Sequence, residues 1–175
     1  KPTTALVPLT PRFSIPPQQG AVHNELEIAV LIAKPLKQAS FAEVNEAIWG
    51  YGLALDLTLR DVQAKLKQQG RPWEIAKGFD GACPLSGFVP KQAVQHPQQL
   101  DFRLTVNGDL RQHGNSANMI RGISQLISEM SQHFTLLPGD VVLTGTPAGV
   151  GPLQPGDSLQ LQLADFFSIT TQVTN

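Results

Sequence analysis

Three acidic residues in otherwise apolar segments are the first candidates for chemistry. Glu25 and Glu27 stand two positions apart in AVHNELEIAVLIAK (21–34), and Asp56 interrupts YGLALDLTL (51–59). Side chains alternate between the two faces of a β-strand, so Glu25 and Glu27 should share one face with His23. Two such carboxylates repel each other, and burial adds a cost for each. The alternative for this segment is an edge strand with one wet face, whose charges discourage aggregation.

Asp56 favours a metal site over a wet edge. It is expected on the strand face of Gly52 and Ala54, whose small side chains would leave room beside the carboxylate. Three carboxylates from two interior strands suit Mg²⁺ or Mn²⁺, hard cations that take oxygen ligands. The sequence has no Cys/His cluster with zinc-ligand spacing, so zinc is not favoured. A helix-capping role is the alternative for Asp56.

Further polar residues follow these acids. Arg60 and Gln63 come next in DLTLRDVQ (56–63), and Lys77 stands between two small residues in GRPWEIAKGF (70–79), where its ammonium could approach an anion closely. A solvated lysine is the commoner alternative.

A glycine-rich segment, LTGTPAGVG (143–151), is predicted to lead from a strand into a loop. The loop amides and the hydroxyls of Thr144 and Thr146 could bind a carboxylate. The segment matches neither the phosphate-binding GxxxxGK[ST] nor GxGxxG, and a simple turn is the alternative.

Length and composition limit the class of protein. A chain of 175 residues with 41% hydrophobic and 15% charged residues is typical of one globular domain with a sizeable core. The net charge of −1 without a basic stripe argues against a nucleic-acid partner. The apolar runs are too short to predict a membrane span. The single cysteine, Cys83, rules out an internal disulfide and favours a reducing, cytoplasmic compartment; a buried thiol is expected there rather than a nucleophile.

Sequence patterns predict more strands than helices. Strands are expected around residues 5–9, over 21–33 and 51–59, in a hairpin that turns at Asn107-Gly108, on both sides of the glycine-rich loop, and up to about Val173. Helices are expected from the capping box of Ser40 and Glu43 to about Ile48, over about 59–69, and within 116–134. The apolar stripe of this last helix comprises Met119, Ile120, Ile123, Leu126, Ile127 and Met130. The prediction is a single-domain α+β fold, mainly β.

Four segments together resemble the fumarylacetoacetate hydrolase (FAH) family in order and spacing: HNELE, GLALDLTLRDVQ, GRPWEIAKGFD with CPLSGFVP, and GDVVLTGTPAGVGPLQPGD. The resemblance spans nearly all of residues 1–175 and implies a mixed β-sandwich or roll with peripheral helices, forming a homodimer. It implies that Glu25, Glu27 and Asp56 bind Mg²⁺ or Mn²⁺. It assigns catalytic roles to Lys77 and Gln63, and substrate binding to Arg60, Gly145 and Thr146.

The activity implied by this resemblance is metal-dependent chemistry on small 2-oxo acids through a stabilised enolate. The candidate reactions are hydrolysis of acylpyruvates or fumarylpyruvate, decarboxylation or tautomerisation of oxaloacetate, and isomerisation of 2-hydroxyhepta-2,4-diene-1,7-dioate. Members of this kind carry an N-terminal Tyr-x-x-His-x-x-Glu pattern, whose His and Glu form a catalytic dyad on a lid helix, and these 175 residues do not match it. His23 corresponds to the strand histidine before the ligands, and His96, His113 and His133 are expected on the surface. An inactive remnant that binds metal or oxo acid is therefore an alternative. A glycosidase-type carboxylate pair is a further one, disfavoured by the scarcity of tryptophan.

Overall fold

Fourteen short strands and four helices make up the chain, which the computed structural model describes from Lys1 to Asn175. The strands are β1 (Leu6–Pro8), β2 (Arg12–Ser14), β3 (Val22–Asn24), β4 (Leu26–Ile32), β5 (Ile48–Leu55), β6 (Thr58–Leu59), β7 (Cys83–Leu85), β8 (Val89–Pro90), β9 (Asp101–Val106), β10 (Asp109–Asn115), β11 (Val141–Leu143), β12 (Gly151–Pro152), β13 (Ser158–Leu163) and β14 (Phe167–Thr174). The helices are α1 (Phe41–Ala47), α2 (Arg60–Gln68), α3 (Glu74–Lys77) and α4 (Ile123–His133). The predicted α+β fold, mainly β, is confirmed.

The strands form three mixed or antiparallel sheets. The largest has the order β1-β7-β5-β4-β11, with β8 added to β5, and the second has the order β10-β9-β13-β14-β2. The third sheet is small and has the order β12-β3-β6. Only β1–β7 and β14–β2 are parallel pairs. One continuous hydrophobic cluster contains side chains from both large sheets, so the sheets share a single core. No helix is long and apolar enough to cross a membrane.

The predicted strand over 21–33 is interrupted in the structure. β3 ends at Asn24 and pairs with β12 and β6, whereas β4 begins at Leu26 and pairs with β5 and β11. Glu25 therefore lies at the point where the chain passes from the small sheet to the largest one. The predicted strand over 51–59 is also interrupted, because β5 ends before Asp56 and β6 begins at Thr58.

The helix predicted within 116–134 begins later than its apolar pattern indicated. Gly122 is the N-cap of α4, and a 3-10 turn over Ser116–Asn118 precedes it. Ile120 is 99% exposed and Met119 lies outside the helix, so both were wrongly assigned to the helical stripe. The amide of Ile123 donates to the side-chain oxygen of Gln98, and this tertiary contact fixes the start of the helix.

Two short sequence motifs correctly predicted the local backbone structure. Ser40 and Glu43 form the predicted capping box at the start of α1. Asn107 and Gly108 have φ values of +53° and +90°, as the predicted type I′ turn between β9 and β10 requires. The space expected beside Gly52, however, is filled, because a Cβ atom there would lie 2.7 Å from the carbonyl oxygen of Gly87.

Candidate metal centre and substrate site

Three carboxylates converge at one end of the β4–β5 pair. Glu25 lies in the break before β4, Glu27 is on β4, and Asp56 directly follows β5. Antiparallel pairing sets Glu27 opposite Ala54, and the amide of Asp56 donates to the carbonyl of Glu25 over 2.8 Å. Oxygen atoms of the three carboxylates lie within 4.8 Å of one another. The structure thus brings together the three acids that the sequence singled out.

Burial makes these carboxylates costly to ionise together. Glu27 is 5% exposed and Glu25 is 9% exposed. Burial raises the pKa of Glu27 to about 7, although the amide of Gly145, which donates to Glu27 Oε2 over 2.6 Å, opposes the shift. The negative charge of Asp56 raises this pKa further. Glu27 is therefore protonated in a substantial fraction of molecules near neutral pH unless a cation lies beside it.

Two lysines and an arginine face the carboxylates. Lys77 Nζ lies 2.7 Å from Glu25 Oε2 and 2.8 Å from Asp56 Oδ2. Arg60 Nη2 lies 2.6 Å from Glu25 Oε1, and Lys1 Nζ lies 2.6 Å from Asp56 Oδ1. Sequence reasoning missed Lys1, because only the tertiary fold brings the start of the chain next to Asp56.

One carboxylate oxygen remains without a hydrogen bond. Asp56 Oδ1 is buried, and although Lys1 Nζ is close to it, the contact lacks hydrogen-bond geometry. The ammonium of Lys1 instead donates to the backbone carbonyls of Leu57, over 3.3 Å, and of Lys77. A hard divalent cation would satisfy a buried carboxylate oxygen that accepts no hydrogen bond, in a cluster that offers only oxygen ligands. The residues present therefore fit a divalent cation.

Lys77 is the last residue of the short helix α3. The preceding Ala76 is fully buried and anchors this short helix. Burial lowers the pKa of Lys77, but its hydrogen bonds to Asp56 and Glu25 outweigh that effect, and the net shift is upward. Without a bound cation, Lys77 is therefore an ammonium that donates hydrogen bonds to both carboxylates.

Arg60 and Gln63 lie on one side of the cluster, in the first turn of α2. Arg60 Nη1 donates to Gln63 Oε1 over 2.7 Å, and Arg60 Nε donates to His23 Nδ1 over 3.4 Å. Gln63 is 5% exposed. Burial, aided by the charge of Arg60, lowers the pKa of His23. The guanidinium is thus held between three side chains, including Glu25, and its position is well defined.

The glycine-rich loop borders the cluster on the side of Glu27. Thr144 Oγ1 donates to the carbonyl of Ile28 over 3.0 Å, and Thr146 Oγ1 donates to the carbonyl of Leu26 over 2.8 Å. The threonine hydroxyls therefore tie the loop to β4. Gly145, between them, adopts a φ of +96°, which favours glycine because it has no Cβ.

A cavity of about 440 Å³ also adjoins this loop, but none of the three carboxylates lines it. Its wall includes Thr144, Gly145 and Thr146 together with the core side chains Ile28, Phe102 and Leu126. The arrangement of the charged groups, rather than the size of this cavity, identifies the candidate site.

The cysteine and three of the histidines considered in the sequence lie outside the candidate site. Cys83 on β7 is buried, and burial raises the pKa of its thiol to about 11, which disfavours a nucleophilic thiolate. His96, His113 and His133 are exposed, as expected.

Comparison with known proteins identifies the family. The chain matches the model for the fumarylacetoacetate (FAA) hydrolase C-terminal region over residues 1–174. It is 55% identical over 174 residues to oxaloacetate tautomerase YcgM of Escherichia coli (strain K12), an alignment that covers 99% of this chain and 79% of the relative. The chain belongs to the fumarylacetoacetate hydrolase family. The relatives it matches are enzymes, and the family resemblance carried by the four segments is confirmed.

Solved structures of the FAH family show the same fold. A family protein from Yersinia pestis CO92 superposes with a TM-score of 0.97 at 54% identity, over 99% of this chain and 79% of that chain. A fumarylpyruvate hydrolase from Pseudomonas aeruginosa, in complex with Mn²⁺ and pyruvate, superposes with a TM-score of 0.93 at 34% identity, over 99% of this chain and 76% of that chain. The expectation of an FAH-type architecture is confirmed.

Proposed function

We propose that this FAH-family chain is a divalent-cation-dependent enzyme that acts on small 2-oxo acids, with tautomerisation of oxaloacetate as the first candidate reaction. The observation that carries the proposal is the convergence of Glu25, Glu27 and Asp56 beside the ammonium of Lys77. Support for the reaction comes from the 55% identical relative, which is named an oxaloacetate tautomerase.

The three carboxylates would hold Mg²⁺ or Mn²⁺. When bound, such a cation supplies positive charge that polarises the keto group of a 2-oxo acid and stabilises negative charge on its oxygen. Two observations support this assignment: the buried Asp56 Oδ1 accepts no hydrogen bond, and the Pseudomonas fumarylpyruvate hydrolase was solved in complex with Mn²⁺.

Lys77 would act as the cationic hydrogen-bond donor of the reaction. Tautomerisation removes a proton from the carbon next to the keto group and adds one to the keto oxygen, so that negative charge develops there. The ammonium of Lys77, which lies 2.7 Å from Glu25 and 2.8 Å from Asp56, would stabilise this charge.

Arg60 and the glycine-rich loop would orient the substrate. The guanidinium of Arg60, positioned by Gln63, offers donors to a substrate carboxylate from the α2 side. On the side of Glu27, Thr146 offers its backbone amide, and Gly145, whose own amide bonds to Glu27, provides the turn. A small dianion between these two donor sets would be held with its keto group facing the cation site.

The direct test follows the ultraviolet absorbance of enol oxaloacetate at increasing Mn²⁺ concentration. Wild-type protein should accelerate interconversion only when Mn²⁺ is present, and Asp56→Asn should lower the rate at limiting Mn²⁺ by about 100-fold or more. Glu129→Gln is the control, because Glu129 is an exposed acid outside the cluster. A wild-type rate in Asp56→Asn at limiting Mn²⁺ would refute the assignment.

Fumarylpyruvate hydrolysis is the second candidate, because the Pseudomonas relative that shares this fold is named for that reaction. Parallel assays of oxaloacetate tautomerisation, carbon dioxide release and fumarylpyruvate cleavage rank the candidates. Binding of Mn²⁺ and oxalate without turnover in any assay would instead support the alternative of a binding protein without catalysis.

We also propose that the chain associates with a second copy of itself. The resemblance to the FAH family, which implies a homodimer, supports this proposal, and Ile120 and Phe134 are exposed apolar side chains that a partner could cover. Light scattering on the eluting protein should give twice the mass of one chain, and a mass of one chain at micromolar concentration would exclude the dimer.

A further inference from the structure

Gln112 is the most completely bonded side chain near the candidate site. It lies on β10, in the sheet that contributes none of the three carboxylates, and it is 1% exposed. Its Oε1 accepts hydrogen bonds from Asn24 Nδ2 over 2.7 Å and from the amide of Leu26 over 2.9 Å. Its Nε2 donates to Thr146 Oγ1 over 2.8 Å and to the carbonyl of Pro147 over 2.9 Å. The amide group thus uses two acceptor and two donor positions.

These bonds close a ring around the backbone of one residue, Leu26, at the start of the strand that carries Glu27. Leu26 stands between Glu25 and Glu27; its N–H donates to Gln112, and its carbonyl accepts from the hydroxyl of Thr146. Gln112 Nε2 completes the ring by donating to the same hydroxyl. The backbone that separates two carboxylates is therefore held on both sides.

The strand break explains why a side chain is needed there. β3 and β4 pair with different neighbours, so the chain at Glu25 and Leu26 passes between two sheets. The Leu26 amide would be a buried donor without a partner if Gln112 did not accept from it, and such a group is costly. The fold satisfies it with Gln112 from the second large sheet.

The Gln112 side chain also holds the glycine-rich loop in place. Gln112 binds both Thr146 and Pro147, and the amide of Gly145 bonds to the carboxylate of Glu27. At Gly149 the loop passes so close to β10 that a Cβ atom would collide with the carbonyl of Arg111. A shift of Gln112 would therefore move the carboxylates and the loop together.

We propose that Gln112 is a positioning residue that couples the divalent-cation site to the substrate-binding loop. This inference rests on the proposed function, which assigns cation binding to the three carboxylates and substrate binding to the loop. Gln112 contacts neither the carboxylates nor the expected place of the substrate, and it acts through the Leu26 peptide and Thr146. A glutamate lacks the donor for Thr146, and a methionine lacks strong donors and acceptors.

The test compares Gln112→Met with Ser131→Ala. Ser131 is 1% exposed and also makes two hydrogen bonds, to the amide of Ala39 and the carbonyl of Ser128, but it lies on α4 away from the carboxylates. Calorimetry measures Mn²⁺ binding alone, and then oxalate binding at saturating Mn²⁺. Gln112→Met should weaken both by about 10- to 100-fold, whereas Ser131→Ala should change neither by more than about twofold.

A second pair of variants keeps the inference testable if Gln112→Met does not fold. Thr146→Val breaks the ring from the loop side, and Thr146→Ser retains the hydroxyl. Thr146→Val should weaken Mn²⁺ binding by about tenfold, although no Thr146 atom belongs to the carboxylate cluster, and Thr146→Ser should bind as the wild type does. In a double-mutant cycle, Thr146→Val should add little to Gln112→Met, because both break the same ring.

Hydrogen exchange separates failure of this inference from failure of the proposed function. If wild-type protein binds neither Mn²⁺ nor oxalate, the proposed function fails, and the exchange of the Leu26 and Gly145 amides then decides the role of Gln112. Both amides should exchange at least about tenfold faster in Gln112→Met than in Ser131→Ala. Folded Gln112→Met with wild-type exchange, or with wild-type Mn²⁺ and oxalate affinity, would overturn the inference.

Discussion

At the scale of single residues, the buried carboxyl group of Glu27 links the stability of the fold to pH. Its pKa is raised from 4.5 to about 7, chiefly by burial. Between these two values the folded chain binds this proton more tightly than the unfolded chain, so folding stability falls as the pH rises. The shift corresponds to at most about 3 kcal/mol. Above pH 7 the contribution of this group levels off.

We expect the cation-free protein to lose stability between pH 5 and pH 8 because of this group. Urea unfolding in the presence of a chelator should give a free energy of unfolding that is lower at pH 8 than at pH 5, by up to about 3 kcal/mol. Glu27→Gln should remove this part of the pH dependence, since Gln still accepts from the Gly145 amide but does not titrate. Equal pH dependence in the two proteins would contradict the assignment.

Lys77 should matter for turnover more than for cation binding. In Lys77→Met, turnover should fall by about 100-fold, because a donor to the developing oxyanion is lost. The affinity for Mn²⁺ should stay the same or rise, since the ammonium that pairs with Glu25 and Asp56 is removed. The control is Lys91→Met, whose lysine bonds only to backbone carbonyls of α1. If Lys77→Met bound Mn²⁺ more weakly but kept wild-type turnover, Lys77 would be a residue of the cation site and not a donor in the reaction.

Residue types and spacing were sufficient to predict the carboxylates but not their surroundings. Glu25, Glu27 and Asp56 stand out because charge is unusual in apolar strands. Lys1 and Gln112 carry no such signal, because a lysine ahead of the first strand and a glutamine in a hairpin are both common. Their roles depend on contacts between segments distant in sequence.

At the scale of elements, the site depends on interruptions of regular structure. Alternation of side chains predicted which acids share a face, but it could not predict the break at Glu25, because a strand that changes sheets keeps the same local pattern. The late start of α4 has a similar origin, since Gln98 from a distant turn bonds to its first residue.

The turn at Gly145 should be needed for cation binding. Gly145→Ala and Gly70→Ala both place alanine at a positive φ, +96° and +61°, with no atom within 4 Å of the new Cβ. Each should lower the free energy of unfolding by about 1–2 kcal/mol. Only Gly145→Ala should weaken Mn²⁺ binding, because only its amide bonds to Glu27. Equal Mn²⁺ affinity in the two variants would show that this turn does not support the site.

At the scale of the whole molecule, the candidate site lies where all three sheets meet. Glu27 belongs to the largest sheet, His23 to the small one, and Gln112 to the second large one. Family resemblance predicted this architecture, and the composition predicted a single core, but the meeting of three sheets follows from long-range pairing that no local pattern encodes. Assembly of the site should therefore depend on folding of the whole chain.

Anomalous X-ray scattering from crystals soaked in Mn²⁺ tests the central claim most directly. The account predicts one strong peak per chain, about 2 Å from oxygens of Glu25, Glu27 and Asp56, with Lys1 and Lys77 moved away from the bound ion. A peak elsewhere, or an ion-free cluster whose lysines remain paired with the acids at saturating Mn²⁺, would contradict it.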